Sequence, residues 1–278
     1  MFKLFFILVT SAMLSSCASK PEAPVLNNLT GGALTATTAR LDALLPADFL
    51  LLGEQHDAKE HQQIQQQVIA LLAQRGLLAA VALEMADTGA STAQLHPSST
   101  EQQTQSALKW NDKSWPWQAY GPAVMTAVQA GVPVIGANLA REQMRAKMGD
   151  SALDSRLHDQ ALKAQQQLIR TGHCDLLLES QITPMTRIQI ARDISLAEAL
   201  TKAALPGKVV VLLAGSGHTD RLLGVPQHLP ASLDVKAVQM RAGAALGPEK
   251  AGSFDSVWQT SALPEKDYCA EFKKQMGK

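Results

Sequence analysis

An α/β fold, with a mostly parallel sheet flanked by helices and a smaller helical insertion, is the architecture this sequence predicts. Three observations carry that prediction. Five short apolar segments bounded by turn signals read as strands: Phe49–Gly53, Val81–Met85, Val132–Ala137, Val209–Ala214 and Val235–Met240. Helical patterns separate most of them, the alternation that builds a parallel sheet covered on both faces. Polar groups follow the strand ends, where such sheets bind ligands.

The elements follow in chain order. Met-Phe-Lys, an apolar run from Leu4 to Leu14 and small residues to Ser16 make residues 1–16 a signal peptide. The run is too short for a bilayer-spanning helix of roughly 20 residues. Leu14-Ser15-Ser16-Cys17 resembles a bacterial lipobox, with Cys17 acylated (palmitate among its chains) as the new N-terminus. Ala18 after that cysteine favours the outer membrane, by resemblance to Gram-negative lipoproteins. Residues 17–32, with Pro21, Pro24, Gly31 and Gly32, read as the tether.

Residues 33–278 form the folded part. After the first strand, Asp57 to Glu60 fits a capping box, and Ile64, Val68, Leu71 and Leu72 recur at helix spacing before Gly76. Residues 88–116, rich in Ser, Thr and Gln, read as a long, partly helical excursion. Trp117 to Ala130 is helical and leads into the third strand. A polar helical stretch without a strand, about 141–182, is the insertion. Met185 to Ala204, closed by Pro206-Gly207, leads into the fourth strand.

Charge and cysteines bound the function. The 278 residues hold 25 Lys+Arg and 25 Asp+Glu, a net charge of zero, which argues against nucleic acid as a partner. An exported chain meets an oxidising compartment. With Cys17 acylated, Cys174 and Cys269 remain as a pair to be bridged, stapling the last segment to a loop about 95 residues earlier.

Candidate site residues gather at strand ends. The first strand runs into Glu54 and His56, the second carries Glu84, the third leads to Asn138 and Arg141, and the fourth ends in Gly215-Ser216-Gly217-His218. Tyr120 opens the helix before the third strand, on the same sheet edge. An acid closing an apolar strand is costly to bury unless it is employed. Each residue has a plainer alternative: Glu54 as a helix cap, Glu84 as a buried partner of Arg141, Asn138 as a cap, Tyr120 as packing beside Trp115 and Trp117. His61 reads as a solvated helix residue, and His96, His158, His173 and His228 as loop residues. No His-Glu-x-x-His helix, phosphate-binding loop, dinucleotide fingerprint, nucleophile elbow or Cys-x-x-Cys-His occurs. Glu54, His56, Glu84 and His218 could still form a metal site of the two-His, carboxylate kind.

These motifs carry a resemblance. Gly53-Glu54-Gln55-His56-Asp57, Leu83-Glu84-Met85, Trp117 to Tyr120, Gly131 to Asn138, Gln189 to Asp193 and Gly215 to Pro226 look like the ChaN family of haem-binding lipoproteins. The two Gly-x-x-His motifs are shared more widely, across the Tiki/TraB/erythromycin-esterase superfamily. The resemblance implies a lipid-anchored outer-membrane protein of haem and iron uptake. It implies a homodimer holding haem (iron protoporphyrin IX) between subunits, an outer-membrane haem receptor as partner, and a tyrosine as iron ligand. Tyr120 is the tyrosine within a matching motif; Tyr268 lies in the tail. Arg141 or Arg192 would favour its phenolate, and His56 and His218 would complete the haem site. The alternative is a metal-dependent hydrolase using Glu54, His56, Glu84 and His218.

Overall fold

In the computed structural model, residues 31–244 and 251–276 are described. The expected signal peptide and Cys17 lie outside them. Helix α1 (Gly31–Asp42) is followed by β1 (Phe49–Glu54), α2 (Lys59–Gln74), β2 (Leu78–Asp87), α3 (Glu101–Ala107), α4 (Trp117–Gln129) and β3 (Val134–Asn138). The second half runs α5 (Arg141–Met148), α6 (Asp159–Gly172), α7 (Glu179–Ala203), β4 (Val209–Gly215), α8 (Ser216–Thr219), β5 (Val235–Ala242), β6 (Ser256–Thr260) and α9 (Tyr268–Met276).

The strands form one parallel sheet in the order β3-β2-β4-β1-β5-β6. The three central strands β2, β4 and β1 have helices on both faces, so both side-chain parities are apolar. Leu50, Leu52, Val81, Leu83, Val211 and Leu213 pack with Val68 and Leu72 of α2 and Val124 and Ala127 of α4. Leu51, Ala82, Val210 and Leu212 pack with Leu196, Ala197 and Leu200 of α7. Each leucine buried this way contributes about 1.5–3 kcal/mol relative to exposure. A third cluster, including Leu139, Leu153, Leu157, Ile190 and Leu223, packs the helices between β3 and β4 against one another.

Three expectations shift. The third strand starts at Val134 rather than Val132, because Pro133 has no N–H for the ladder and contributes only its carbonyl, to Val81. A sixth strand joins the edge. Of its Ser256-Val257-Trp258-Gln259-Thr260, only Trp258 and Thr260 are buried, so it lacks the apolar run that marked the others. The capping box at Asp57 is absent: Ala58 occupies the cap position of α2, Asp57 accepts from the Tyr268 hydroxyl, and Glu60 accepts from the Ser261 N–H 2.9 Å away.

Between β3 and α7 the chain is helical, as α5, a 3-10 turn at Ser151–Ser155, and α6. Cys174, just after α6, is bonded to Cys269 in α9, with their Cα atoms 5.6 Å apart. No helix among the described residues is long and apolar enough to cross a membrane.

Candidate functional site

Side-chain parity decides which helices each buried acid meets. Glu54 follows Leu50 and Leu52 onto the α2/α4 face, and Glu84 follows Ala82 onto the α7 face. Both sit at the carboxyl edge of the sheet, 2% and 3% exposed.

Four side chains surround Glu54. The Tyr120 hydroxyl donates to its Oε1 at 2.7 Å, and His56 Nδ1 lies 2.8 Å from the same oxygen. Gln65 and Gln62 of α2 donate to Oε2 at 3.0 and 3.4 Å. Glu84 is held from the other face. Arg192 of α7 reaches its Oε1 at 2.6 Å, the Gly215 N–H its Oε2 at 2.7 Å, and His218 Nε2 stands 3.4 Å from Oε1. Asn138 accepts from Arg192 Nε at 3.0 Å, orienting the guanidinium. His218 Nδ1 meets Asp193 Oδ1 at 2.5 Å and the Gln189 amide at 3.1 Å. The two halves approach at His56, whose Nε2 is 3.8 Å from Glu84 Oε2.

The electrostatics follow from burial and partners. Burial works against charge on His218, but Glu84 and Asp193 outweigh it and lift its pKa to about 9, so at neutral pH it is an imidazolium between two carboxylates. For Glu84, burial is likewise overcome, by His218, Arg192 and His56, which hold its carboxyl well below the usual range. Burial raises the pKa of Asp193, and His218 offsets only part of that. At His56, burial is outweighed by the bond to Glu54 and by the charges of Glu84 and Glu54, and the pKa is raised.

The family is legible in the same stretch of chain. A family model described as haem-binding uptake, Tiki superfamily, ChaN matches residues 40–229. The chain belongs to this family. Among solved structures, ChaN of Campylobacter jejuni, described as showing cofacial haem binding, is similar at TM-score 0.64 and 24% identity, covering 79% of this chain and 90% of that one. An erythromycin esterase, EreC, in its open conformation aligns at TM-score 0.44 and 16% identity over 73% of this chain and 72% of its own. A Bacillus cereus protein aligns at TM-score 0.44 and 14% identity over 75% and 69%. No curated protein is a significant sequence match.

Within this ChaN-family chain, several sequence expectations change. Arg192, not Arg141, partners Glu84; Arg141 opens α5 and is exposed. Asn138 is no cap, since Ala140 holds that position at α5. His61 is fully buried rather than solvated: its Nδ1 accepts from the Gln55 N–H at 3.0 Å, and Nε2 lies 2.9 Å from the Thr260 hydroxyl. Its lowered pKa, from burial, keeps it neutral. Gln62 and Gln65 carried no signal in the sequence, and Asp193 entered only as the end of the Gln189–Asp193 motif, with no role assigned to it. The available signal for Asp193 was an acid set among Ile188, Ile190, Ala191, Ile194, Leu196 and Ala197, where its neighbours are mostly apolar.

The Tyr120 oxygen faces inward, onto Glu54. The residue is 1% exposed, packed beside Trp110 and Trp115, and its hydroxyl is given to Glu54. Burial, and then Glu54, push its pKa well above that of a free phenol, against the phenolate expected beside an arginine. The geometry makes Tyr120 a support for Glu54.

The metal site expected of Glu54, His56, Glu84 and His218 is also not formed. Among the described residues, no group of three or more His, Cys, Asp or Glu side chains is arranged to hold a metal ion. The oxygens of Glu54 and Glu84 accept from Tyr120, Gln62, Gln65, Arg192 and the Gly215 N–H.

Of the histidines and acids gathered here, His56 is the one that reaches solvent, its Nε2 lying 3.8 Å from Glu84 Oε2. Its side chain is 40% exposed, and Trp115 packs edge-on at 4.8 Å between ring centroids. With Nδ1–H on Glu54, the lone pair sits on Nε2, the arrangement by which carboxylates orient metal-binding histidines. A groove of about 670 Å³ lies elsewhere, lined by residues such as Ala90, Pro133, Ile135 and Leu205.

Proposed function

We propose that the chain binds haem for uptake at the carboxyl edge of its sheet, with His56 Nε2 as the donor facing the iron. One observation carries this reading: a half-exposed imidazole whose Nδ1 is fixed by a buried carboxylate, at the motif of a haem-binding family. Haem is the cargo in this reading, and His56 would supply a nitrogen donor to its iron. Glu54 sets the tautomer of that nitrogen; Tyr120, Gln62 and Gln65 hold Glu54; Trp115 supports the ring.

Lipidation at Cys17, an outer-membrane address and a homodimer belong to the same proposal. The lipobox supports the first two. A half-exposed histidine at the rim suits haem stacked against a second copy, as cofacial binding is described for the Campylobacter protein.

The test is haemin titration of the mature protein, following the Soret band. His56→Ala should abolish the saturable shift, while Tyr120→Phe should keep the spectrum and cost stability by a buried, charge-assisted hydrogen bond, about 1.5–3 kcal/mol. Loss of the spectrum in Tyr120→Phe, with His56→Ala unaffected, would return the iron to Tyr120 and reject this assignment.

A further inference from the structure

The chain's last segment crosses the rim of this site. After β6, the Ser261 N–H bonds Glu60, the Tyr268 hydroxyl donates to Asp57 beside His56, and α9 reaches the end of α6. There, Cys269 is bonded to Cys174, and Phe272 stacks edge-on against His173 at 5.7 Å. Yet from 261 to 274 no residue is buried, and Tyr268 is 50% exposed. Fourteen residues without a buried side chain gain little from the hydrophobic effect to offset the entropy of ordering them. Lys266 spends its contacts inside the segment, on Glu271 and the Tyr268 ring. What remains against the domain is a few surface contacts and one covalent bond.

We propose that residues 261–276 are a redox-released latch on the rim beside His56, fastened chiefly by the Cys174–Cys269 disulfide and read out through Tyr268 on Asp57. The ligand it retains rests on the haem reading above. Oxidised, the latch holds the Tyr268 ring over the turn that carries His56 and slows escape of whatever is seated there. Opening takes a dithiol reductant. One of its thiolates attacks the sulfur of Cys269, the exposed half of the pair; the S–S bond breaks and Cys174 leaves as thiolate. The reductant's second thiol then displaces Cys269 and closes the reductant's own disulfide. Two electrons pass to the protein sulfurs, which take up the two protons. The segment then relies on contacts that local fluctuation breaks easily.

The experiment compares the mature protein oxidised and after native-state reduction with dithiothreitol and alkylation, with circular dichroism confirming the fold. Brief trypsin treatment should cut after Lys266 rapidly in the reduced form and slowly in the oxidised one, leaving the rest of the domain intact. Haem dissociation into a scavenger should be faster after reduction, by at least about fivefold, the ratio to which one net hydrogen bond corresponds. Tyr268→Phe with the disulfide intact should leave trypsin protection unchanged and speed dissociation. Equal trypsin sensitivity in both redox forms would overturn the latch, as would equal dissociation rates with the segment demonstrably released. Should the oxidised protein bind no haemin, the haem reading fails, and trypsin alone decides whether the latch exists.

Discussion

Replacing His218 with Gln tests the charge arrangement that organises the α7 half of the site. The imidazolium lies 2.5 Å from Asp193 and 3.4 Å from Glu84, and all three side chains are buried. Gln keeps much of the volume and a neutral donor but removes the charge. A histidine has a pKa of about 6.5 when unfolded; here it is held at about 9. At about 1.4 kcal/mol per unit, the difference corresponds to roughly 3 kcal/mol of stability, within the roughly 3–5 kcal/mol lost when one partner of a buried ion pair is removed. Glu84 retains Arg192 and the Gly215 N–H. Asp193 bears the loss, because its Oδ2 has no hydrogen-bond partner. Because folding raises the pKa of His218, its contribution is complete below about pH 6.5 and is lost as pH rises through about 9. Denaturant unfolding at a series of pH values should therefore show His218→Gln about 3 kcal/mol less stable at pH 6. The gap should narrow steadily from about pH 6.5 and be nearly closed once pH passes about 9 and the native histidine has lost its proton. Equal midpoints at pH 6, or a gap that stays constant to pH 10, would refute the imidazolium.

Three further outcomes follow. Gly215→Ala suits the backbone, with φ −61°, but its Cβ would sit 2.9 Å from His56 Nε2, so the ring must turn; an off-rotamer cost of about 1 kcal/mol should weaken haemin binding roughly fivefold, and unchanged affinity would mean Nε2 is not the donor. Haemin affinity should be flat above the raised pKa of His56 and fall below it, by up to about tenfold per pH unit, as a proton competes for Nε2; a pH-independent titration would contradict histidine ligation. Cys17→Ser should release the protein from membrane fractions, since a tether without acyl chains has no hold on lipid, and continued retention would rule out anchoring there.

Much of the sheet was legible because its central strands β1, β2 and β4 are buried on both faces and read as nearly unbroken apolar runs. Val209 to Ala214 cannot be mistaken for anything exposed. Trp258's strand was illegible for the converse reason: at the sheet edge only two of its five residues are buried. The position of the site was legible from acids ending apolar strands. Its wiring was not, because partners came from helices distant in sequence. Arg192 rather than Arg141 reaches Glu84 across 108 residues, and nothing local distinguishes the two arginines. Tyr120 shows the limit of motif reasoning, since a sequence gives a residue's place on the edge but not whether its oxygen faces out or in.

The opposite facing of Glu54 and Glu84 has a consequence for native-state motion. One acid depends on α2 and α4, the other on α7 and the turn after β4, and these two layers touch the sheet from different sides. If α7 opened alone, Glu84, Asp193 and His218 would lose their setting while the Glu54–His56 pair stayed assembled. The converse would follow from opening α4. Amide exchange should thus separate two cooperative blocks that meet at His56 on the shared sheet, so a substitution in one helix layer should retune that block's dynamics more than the other's.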